Sequence, residues 1–367
     1  MRLLYIADNG FSIHKGVFYY TRPNDVNTSQ YMRYFSEISY IARRSAYCGK
    51  EIKINSSCKV KLVGRYDIIG LSKAMKSLCD DFDTVVVRSG FLGCFAAIFA
   101  KLMGKTLISF SGSDPYELYM SKQSFWGSVV AYFWRRLEAN KMKIADYAHY
   151  CTSVLYDRYP CNCPYLVCSD ANVVVEGNTL KKRINKIMSG NNMFVIGLIG
   201  NYVKNDNKGI SYAIRALGEL DDNYQLEVVG YGNPDKYKKL VDKLGLKSRV
   251  FFKGYFQDKA IIDDWLDNID VYIQPSMSEG LSRATIEAMA RACPVISSDV
   301  CGFRELLPEE WMVRPRDYKV LASAIEKMSN KDKMKHAAER NFRIASNYTA
   351  EKRDKKMDAF YSMIINR

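Results

Sequence analysis

Short runs rich in apolar residues, each followed within two residues by Gly, Ser, Asn or Pro, recur along the chain at 2–7, 84–87, 106–110, 194–199, 226–229, 250–252, 271–273 and 295–297. Runs of this length bounded by turn formers read as strands buried on both faces, the habit of parallel sheets. Between them, apolar residues recur at three- and four-residue spacing over 28–44, 66–80, 91–103, 125–138, 210–220, 281–292, 318–329, 332–347 and 350–365. The alternation predicts an α/β protein whose parallel sheets are covered by helices. In the 28–44 helix, Tyr31, Tyr34, Phe35, Ile38 and Ile41 would face inward, with Thr28 or Ser29 as cap. Two short strands are expected within 51–63, a strand and a short helix within 146–159, and a further strand at 173–176. Asp8-Asn9-Gly10 reads as a turn that ends the first strand, and a long polar and aromatic loop is expected from there to Asn27.

A basic run, Lys181, Lys182, Arg183 and Lys186, lies between Gly177-Asn178-Thr179 and Ser189-Gly190-Asn191-Asn192 and reads as a linker. It divides the chain into 1–188 and 189–349, each long enough for its own core, with the 350–367 helix expected to return to the first domain. With 48% hydrophobic and 26% charged residues the chain is globular, without low-complexity tracts. A net charge of +14 attracts anions: nucleotide phosphates, nucleic acid or an acidic membrane surface. No nucleic-acid-binding module is visible. The best apolar run, 91–100, is about half the roughly 20 residues a membrane span needs. The start, MRLLYIADNG, suits a first strand better than a signal peptide. Ten scattered cysteines read as reduced cytosolic thiols; Cys161, Cys163 and Cys168 cluster but lack the second pair a zinc site needs. Phe125, Trp126, Tyr132, Phe133 and Trp134, followed by Arg135, Arg136, Lys141 and Lys143, fit a packed helix or one that docks on an anionic bilayer.

The richest stretch is 269–302. A strand breaks at Gln274-Pro275-Ser276, a loop ends at Ser278-Glu279-Gly280, and a helix starts near Leu281 before the strand at 295–297. In parallel sheets, ligands sit beyond the carboxyl ends of the strands, where this loop lies. The free amides of Gly280 and Leu281 at a helix start favour a phosphate. Glu279 stands at the lip and Glu287 lies in a helix otherwise made of Ala, Met and Ile, where a carboxylate needs a partner such as a ligand hydroxyl.

Pro275-Ser276, Glu279-Gly280-Leu281, the seven-residue interval to Glu287, Glu287-Ala288-Met289-Ala290 and Pro294-Val295-Ile296-Ser297 together resemble the retaining, nucleotide-sugar-dependent glycosyltransferases of family 4. The resemblance is strong over 194–307 and loose before it. It implies a GT-B fold, two Rossmann-like domains with parallel sheets facing across a cleft, the acceptor on the first and the nucleotide sugar on the second. Glu279 would bind the sugar hydroxyls and Glu287 the ribose. Gly200, Asn201, Lys204 and Lys208 would hold the diphosphate, with Asn201 where relatives place Arg. Gly254 and Tyr255 would meet the base, Ser276 would lie beside the donor, and Gly16 would be the close-packed glycine of the first loop. Ser111-Gly112-Ser113-Asp114 resembles the family's His-Gly-x-Asp segment, with Ser111 in place of His. Ser111, Asp114, Lys208 and Glu279 are thus the expected catalytic set. His149 reads as structural.

The expected reaction moves a hexose from a UDP- or GDP-linked donor to a sugar acceptor, polyprenyl-linked, in capsule, O-antigen or exopolysaccharide assembly. It would need no metal or other cofactor and would take place in the cytoplasm or on the inner face of the membrane. Asp81-Phe82-Asp83 precedes its strand, so it is not the metal-binding motif of GT-A enzymes. A Gly-x-Gly-x-x-Gly after strand one is missing, against a dehydrogenase. A nucleotide-sugar epimerase and a donor-binding protein without turnover remain open, the second favoured by Ser111 and Asn201.

Overall fold

The computed structural model describes residues 1–20, 31–47, 52–54, 57–121, 124–190, 192–203 and 205–366. Two compact units result, 1–168 with 355–367 and 169–354.

The first unit contains β1 Arg2–His14, β2 Val17–Tyr20, β3 Glu37–Arg44, β4 Ile52–Lys53, β5 Val60–Val63, α1 Ile68–Ser77, β6 Thr84–Val87, α2 Phe91–Leu102, β7 Thr106–Ser111, α3 Pro115–Met120, α4 Phe125–Lys143, β8 Tyr147–Tyr150, α5 Ser153–Arg158 and β9 Tyr165–Val167. Its parallel ladder runs β5-β3-β1-β6-β7-β8-β9, and β2 and β4 extend it antiparallel along the far half of β1. Alternation along β1 explains its unbroken apolar sequence. Leu3, Tyr5 and Ala7 enter one core, which also receives Met357, Phe360, Tyr361 and Ile364 from the last helix, while Leu4 and Ile6 enter the other.

Four expectations fail here. Residues 37–44, assigned to a helix, form the central parallel strand β3, with Ile38, Tyr40 and Ala42 in one core and Ile41 in the other. The helical spacing came from Tyr31 and Phe35, which form a single hydrogen-bonded turn (Phe35 N to Tyr31 O, 3.0 Å) ahead of that strand. The proposed caps Thr28 and Ser29 lie outside the described residues. The expected turn at Asp8-Asn9-Gly10 is a bulge, seen as a register shift between Ala7 and Gly10, and β1 continues through it to His14. What read as a long loop is, as far as Tyr20, a hairpin closed by Lys15 and Gly16. Their φ values of 48° and 76° match the twist of the strands they join. Gly16 is therefore a turn residue. A Cβ built on it meets nothing within 4 Å, so it is not a close-packed glycine.

The second unit contains α6 Thr179–Ser189, β10 Phe194–Ile199, α7 Ile210–Leu217, β11 Tyr224–Val229, α8 Asp235–Lys243, β12 Val250–Gly254, α9 Lys259–Asn268, β13 Val271–Gln274, α10 Arg283–Ala290, β14 Val295–Ser298, β15 Met312–Val313, α11 Tyr318–Met328 and α12 Lys331–Ala345; α13, Ala350–Ile365, closes the chain. Its sheet is wholly parallel in the order β12-β11-β10-β13-β14-β15. The winding reverses between β10 and β13, and such a switch point opens a crevice at the strands' carboxyl ends.

The boundary between the units falls at Cys168 and Ser169, not at 188. Residues 173–176 are not a strand, and the basic run is not a linker but helix α6. Buried Arg183 donates to the carbonyls of Leu266 and Ile269 at 2.6 Å each, and Lys186 Nζ donates to that of Ile269 at 2.8 Å. Both cations thus cap the carboxyl end of α9, which ties α6 to the second sheet.

Under the carboxyl ends of β6 and β7 lies a polar core. Lys141 Nζ is 2.8 Å from Glu138 Oε1 and 2.9 Å from the Phe110 carbonyl, and the Ser89 hydroxyl donates to Glu138 at 2.7 Å; both charged side chains have 0% exposure. Removing one partner strands the other charge. Lys141→Met should cost about 3–5 kcal/mol in urea unfolding, and adding Glu138→Leu should recover at least half of that. Equal losses in the single and double variants would refute the pairing.

Candidate functional site

The site is built on the reversal between β10 and β13. Beyond β10 the chain passes Gly200 and Asn201 and loops to Lys208 and Gly209. Beyond β13 it passes Pro275 and Ser276 to Glu279. The two loops are bound to each other: Met277 N donates to the Asn207 carbonyl at 2.8 Å. Gly209 has φ 73°, and a Cβ there would lie 2.0 Å from the Pro275 carbonyl oxygen, so only glycine permits this approach. Lys208 Nζ consequently reaches Glu279 Oε2 at 2.7 Å, with the lysine side chain 36% and the glutamate 14% exposed. The sequence placed these residues 71 positions apart; the fold makes them an ion pair.

Helix α10 starts at Arg283, two residues later than expected, because Ser282 is its cap and its hydroxyl accepts from Thr285 N. Gly280 and Leu281 belong to the loop before the cap. The consequence is a longer row of open donors. The N–H groups of Gly280, Leu281, Ser282, Arg283 and Ala284 meet no acceptor among the described residues. Such a row, at a helix start and beside a lysine, suits an anion. Gly302 holds the loop from behind. Its N–H donates to the Glu279 carbonyl at 3.3 Å, and a Cβ on it would lie 1.7 Å from the Gly280 carbonyl oxygen.

The start of α7, the other helix that begins beside this loop, already has its amides engaged. Asp206 accepts from Ile210 N at 2.8 Å, from Ser211 N at 3.1 Å and from the Ser211 hydroxyl, and Tyr237 OH donates to it at 2.9 Å. Asp206 is absent from the expected site because a capping carboxylate ordinarily stands directly before its helix, and here that position is Gly209. Asn201 is also engaged: its Oδ1 accepts from Tyr231 N at 3.2 Å and steadies the 230–232 turn. Lys204 lies outside the described residues. Ser276 is fully buried and its hydroxyl accepts from Gln274 at 3.1 Å, so it shapes the strand end instead of facing a ligand.

Glu287 behaves differently from Glu279. Its carboxylate is half-buried and makes no hydrogen bond or ion pair among the described residues. Burial pushes its pKa above the ordinary range, with Lys259 and Arg283 pulling the other way. Across the switch point, Gly254 ends β12 at φ 75° and accepts from Gly230 N at 2.9 Å. Tyr255 follows at 60% exposure, and Tyr231, which the sequence reading passed over, packs edge-on to it at 6.2 Å. Exposed tyrosines in pairs at strand ends are a signal for a planar ligand.

Gly16, Ser111 and Asp114 belong to the first unit. Ser111 is fully buried and its hydroxyl has no hydrogen-bond partner among the described residues. Asp114 caps α3 through Tyr116 N at 2.9 Å, accepts from Tyr159 OH at 2.5 Å and pairs with Arg158. Its Oδ1 takes both hydrogen bonds and its buried Oδ2 faces Arg158, which is the environment of a structural carboxylate. His149 is buried on β8 with Nε2 2.8 Å from the Cys168 carbonyl, and the nine described cysteines are free thiols.

Two stability tests follow. Because the folded pKa of Glu287 is raised, the folded state binds more protons than the unfolded one between the two pKa values, so its carboxylate lowers stability as pH rises through that window. Glu287→Gln should therefore raise Tm at pH 7–8 and leave it unchanged at pH 4; a lower Tm at pH 7 would contradict the buried, unpaired assignment. Gly209→Ala should cost about 2–4 kcal/mol, since strain and clash act together.

The sequence profile of the glycosyl transferases group 1 matches residues 193–331, which is the switch-point unit just described. Protein CapJ of Staphylococcus aureus is 30% identical over 250 residues, 67% of this chain and 62% of CapJ. The lipopolysaccharide glucosyltransferase WaaG of Escherichia coli (strain K12) is 29% identical over 106 residues, 28% of each chain. The chain thus spans less than two thirds of either curated relative. Among solved structures, Anabaena Alr3699/HepE in complex with UDP superposes with a TM-score of 0.67 at 14% identity, over 99% of this chain and 100% of that one. Profile, relatives and fold agree: residues 193–331 belong to the group 1 glycosyltransferases, and the chain has the GT-B fold.

Proposed function

We propose that the protein is a retaining glycosyltransferase that moves a hexose from a UDP- or GDP-linked sugar to a lipid-linked sugar acceptor in the assembly of a surface polysaccharide. The observation that carries this reading is the Lys208–Glu279 pair beside five open amides at the switch point. The donor diphosphate rests on the amides of 280–284, with Lys208 swinging from Glu279 to its oxygens. Glu279, released from the lysine, takes sugar hydroxyls, and Glu287 finds in the ribose the partner that the protein withholds. Tyr231 and Tyr255 flank the base. As the bond to the anomeric carbon stretches, negative charge grows on the diphosphate, where Lys208 and the amides stabilise it most. The leaving phosphate oxygen takes the acceptor proton on the same face, so configuration is retained without a covalent enzyme intermediate and without a metal.

The names of the relatives support the pathway: WaaG is a lipopolysaccharide glucosyltransferase. A membrane-borne acceptor is supported by α4. Phe125, Trp126, Tyr132 and Phe133 are 76%, 74%, 56% and 55% exposed on one face, next to exposed Arg135 and Arg136. Buried packing does not account for these rings, whereas an interfacial helix needs them. No described helix is long and apolar enough to cross a membrane, so contact would be peripheral.

A donor-binding protein without turnover is the second reading, favoured by Asn201 where relatives place Arg. Nucleotide release from a panel of UDP- and GDP-sugars with polyprenyl-linked acceptors separates the two. Turnover in the wild type that falls about 100-fold or more in Glu279→Ala and in Lys208→Ala supports the enzyme. Tight donor binding with no release supports the alternative. Flotation with phosphatidylglycerol vesicles should succeed at low salt and fall several-fold in the variant carrying Trp126→Ser and Phe133→Ser; equal flotation of both proteins would remove α4 from the account.

A further inference from the structure

The hairpin at the end of β1 carries a group of side chains that neither the fold nor the donor site uses. Register puts them on one face. Ser12 lies opposite Tyr19 across the antiparallel pair, and His14 follows Ser12 by two residues. On the other side the parallel pairing of Phe11 with Arg44 continues through a hydrogen bond from Ser45 N to the Phe11 carbonyl at 2.8 Å, which sets Ser45 beside Ser12 and Tyr47 beside His14. The rings of His14 and Tyr47 stack at 4.4 Å and 9°, and Tyr19 packs on Tyr47 at 5.0 Å. His14 and Tyr47 are exposed. Beside them, Ser12 is 0% exposed, and the hydroxyls of Ser12 and Ser45 are buried without a hydrogen-bond partner among the described residues.

Both halves of this arrangement run against ordinary folding economy. A buried hydroxyl without a partner is destabilising. Exposed stacked rings forgo the burial that usually recommends aromatic residues. The two together describe a ligand with an apolar face and hydroxyl groups at its edge, held at a strand end where α/β sheets bind their ligands. A pyranose ring has that chemistry: its C–H face lies on aromatic rings and its hydroxyls pair with serine. The turn at Lys15 and Gly16 fixes the strands, so the platform is formed before the ligand arrives.

We propose that Ser12, His14, Tyr19, Ser45 and Tyr47 form a carbohydrate subsite that holds a hexopyranose unit of the acceptor. The assignment of that sugar to the acceptor rests on the transferase reading; the subsite itself does not.

Saturation-transfer NMR on the full chain tests it, irradiating aromatic protons and reading the C–H protons of a panel of methyl glucosides, galactosides, mannosides and N-acetylglucosaminides. UDP serves as a second probe in the same tube. Transfer to at least one sugar is expected, reduced about tenfold by His14→Ala and by Tyr47→Ala, kept by Tyr47→Trp, and accompanied by unchanged transfer to UDP. Ser12→Ala should weaken the sugar signal while leaving Tm equal or higher, a combination that a merely structural serine would not produce. No transfer to any sugar, or transfer unaltered in Tyr47→Ala, overturns the proposal. So does loss of the UDP signal in Tyr47→Ala, which would assign the rings to a nucleotide. Absence of UDP binding in the wild type would count against the donor reading and leave the sugar result to stand or fall alone.

Discussion

The contact between the 205–209 loop and the 275–279 loop governs what the second unit can do. Neither loop belongs to a helix or strand, and both leave the sheet at its switch point, where the backbone is free to wander. Gly209 pressed against the Pro275 carbonyl and the bond from Met277 N to the Asn207 carbonyl remove that freedom. Lys208 then has one place to go, the Glu279 carboxylate. The pair holds a cation and an anion side by side, and on the proposed reading a diphosphate and a sugar would each offer one of them a replacement partner.

The electrostatics are asymmetric in a useful way. Two helices begin near this point. One is closed by Asp206, whose carboxylate neutralises the amino end of α7; the other, α10, leaves its amides open. An anion therefore has one strongly favoured seat, and the closed helix fixes the loop that delivers Lys208 to it. The net charge of +14 adds attraction at long range, but position is decided by these local groups.

The sequence disclosed most of the second sheet because parallel strands buried on both faces are rich in apolar residues, as in Phe194 to Ile199 of β10, Val271 to Ile273 of β13 and Val295-Ile296 of β14, while in β11 Leu226, Val228 and Val229 flank Glu227. Glu279, Gly280 and Glu287 could be picked out because they share one strand, helix, strand unit. The first unit was less readable. In 37–44 the residues of a central strand fit either period, and a turn at Tyr31 and Phe35 tipped the reading toward helix. A two-residue turn at Lys15 and Gly16 lacks the Asn or Asp that usually announces it, so the hairpin looked like a loop. The basic run at 181–186 has the composition of a linker and the role of a cap, a distinction that depends on carbonyls about 80 residues away. Asp206 was missed because it caps α7 from four residues back and not from the position next to the helix, and Tyr231 because Tyr255, against which it packs, is brought to it only by the fold.

The central claim is that an incoming diphosphate takes the open amides ahead of α10. Amide chemical shifts during a UDP or GDP titration of 15N-labelled protein test it most directly. The largest changes are predicted at Gly280 through Ala284, with little change at Ile210 and Ser211, whose N–H groups are already held by Asp206. Changes concentrated at Ile210 and Ser211, or none at 280–284 while nucleotide binds, would contradict the account.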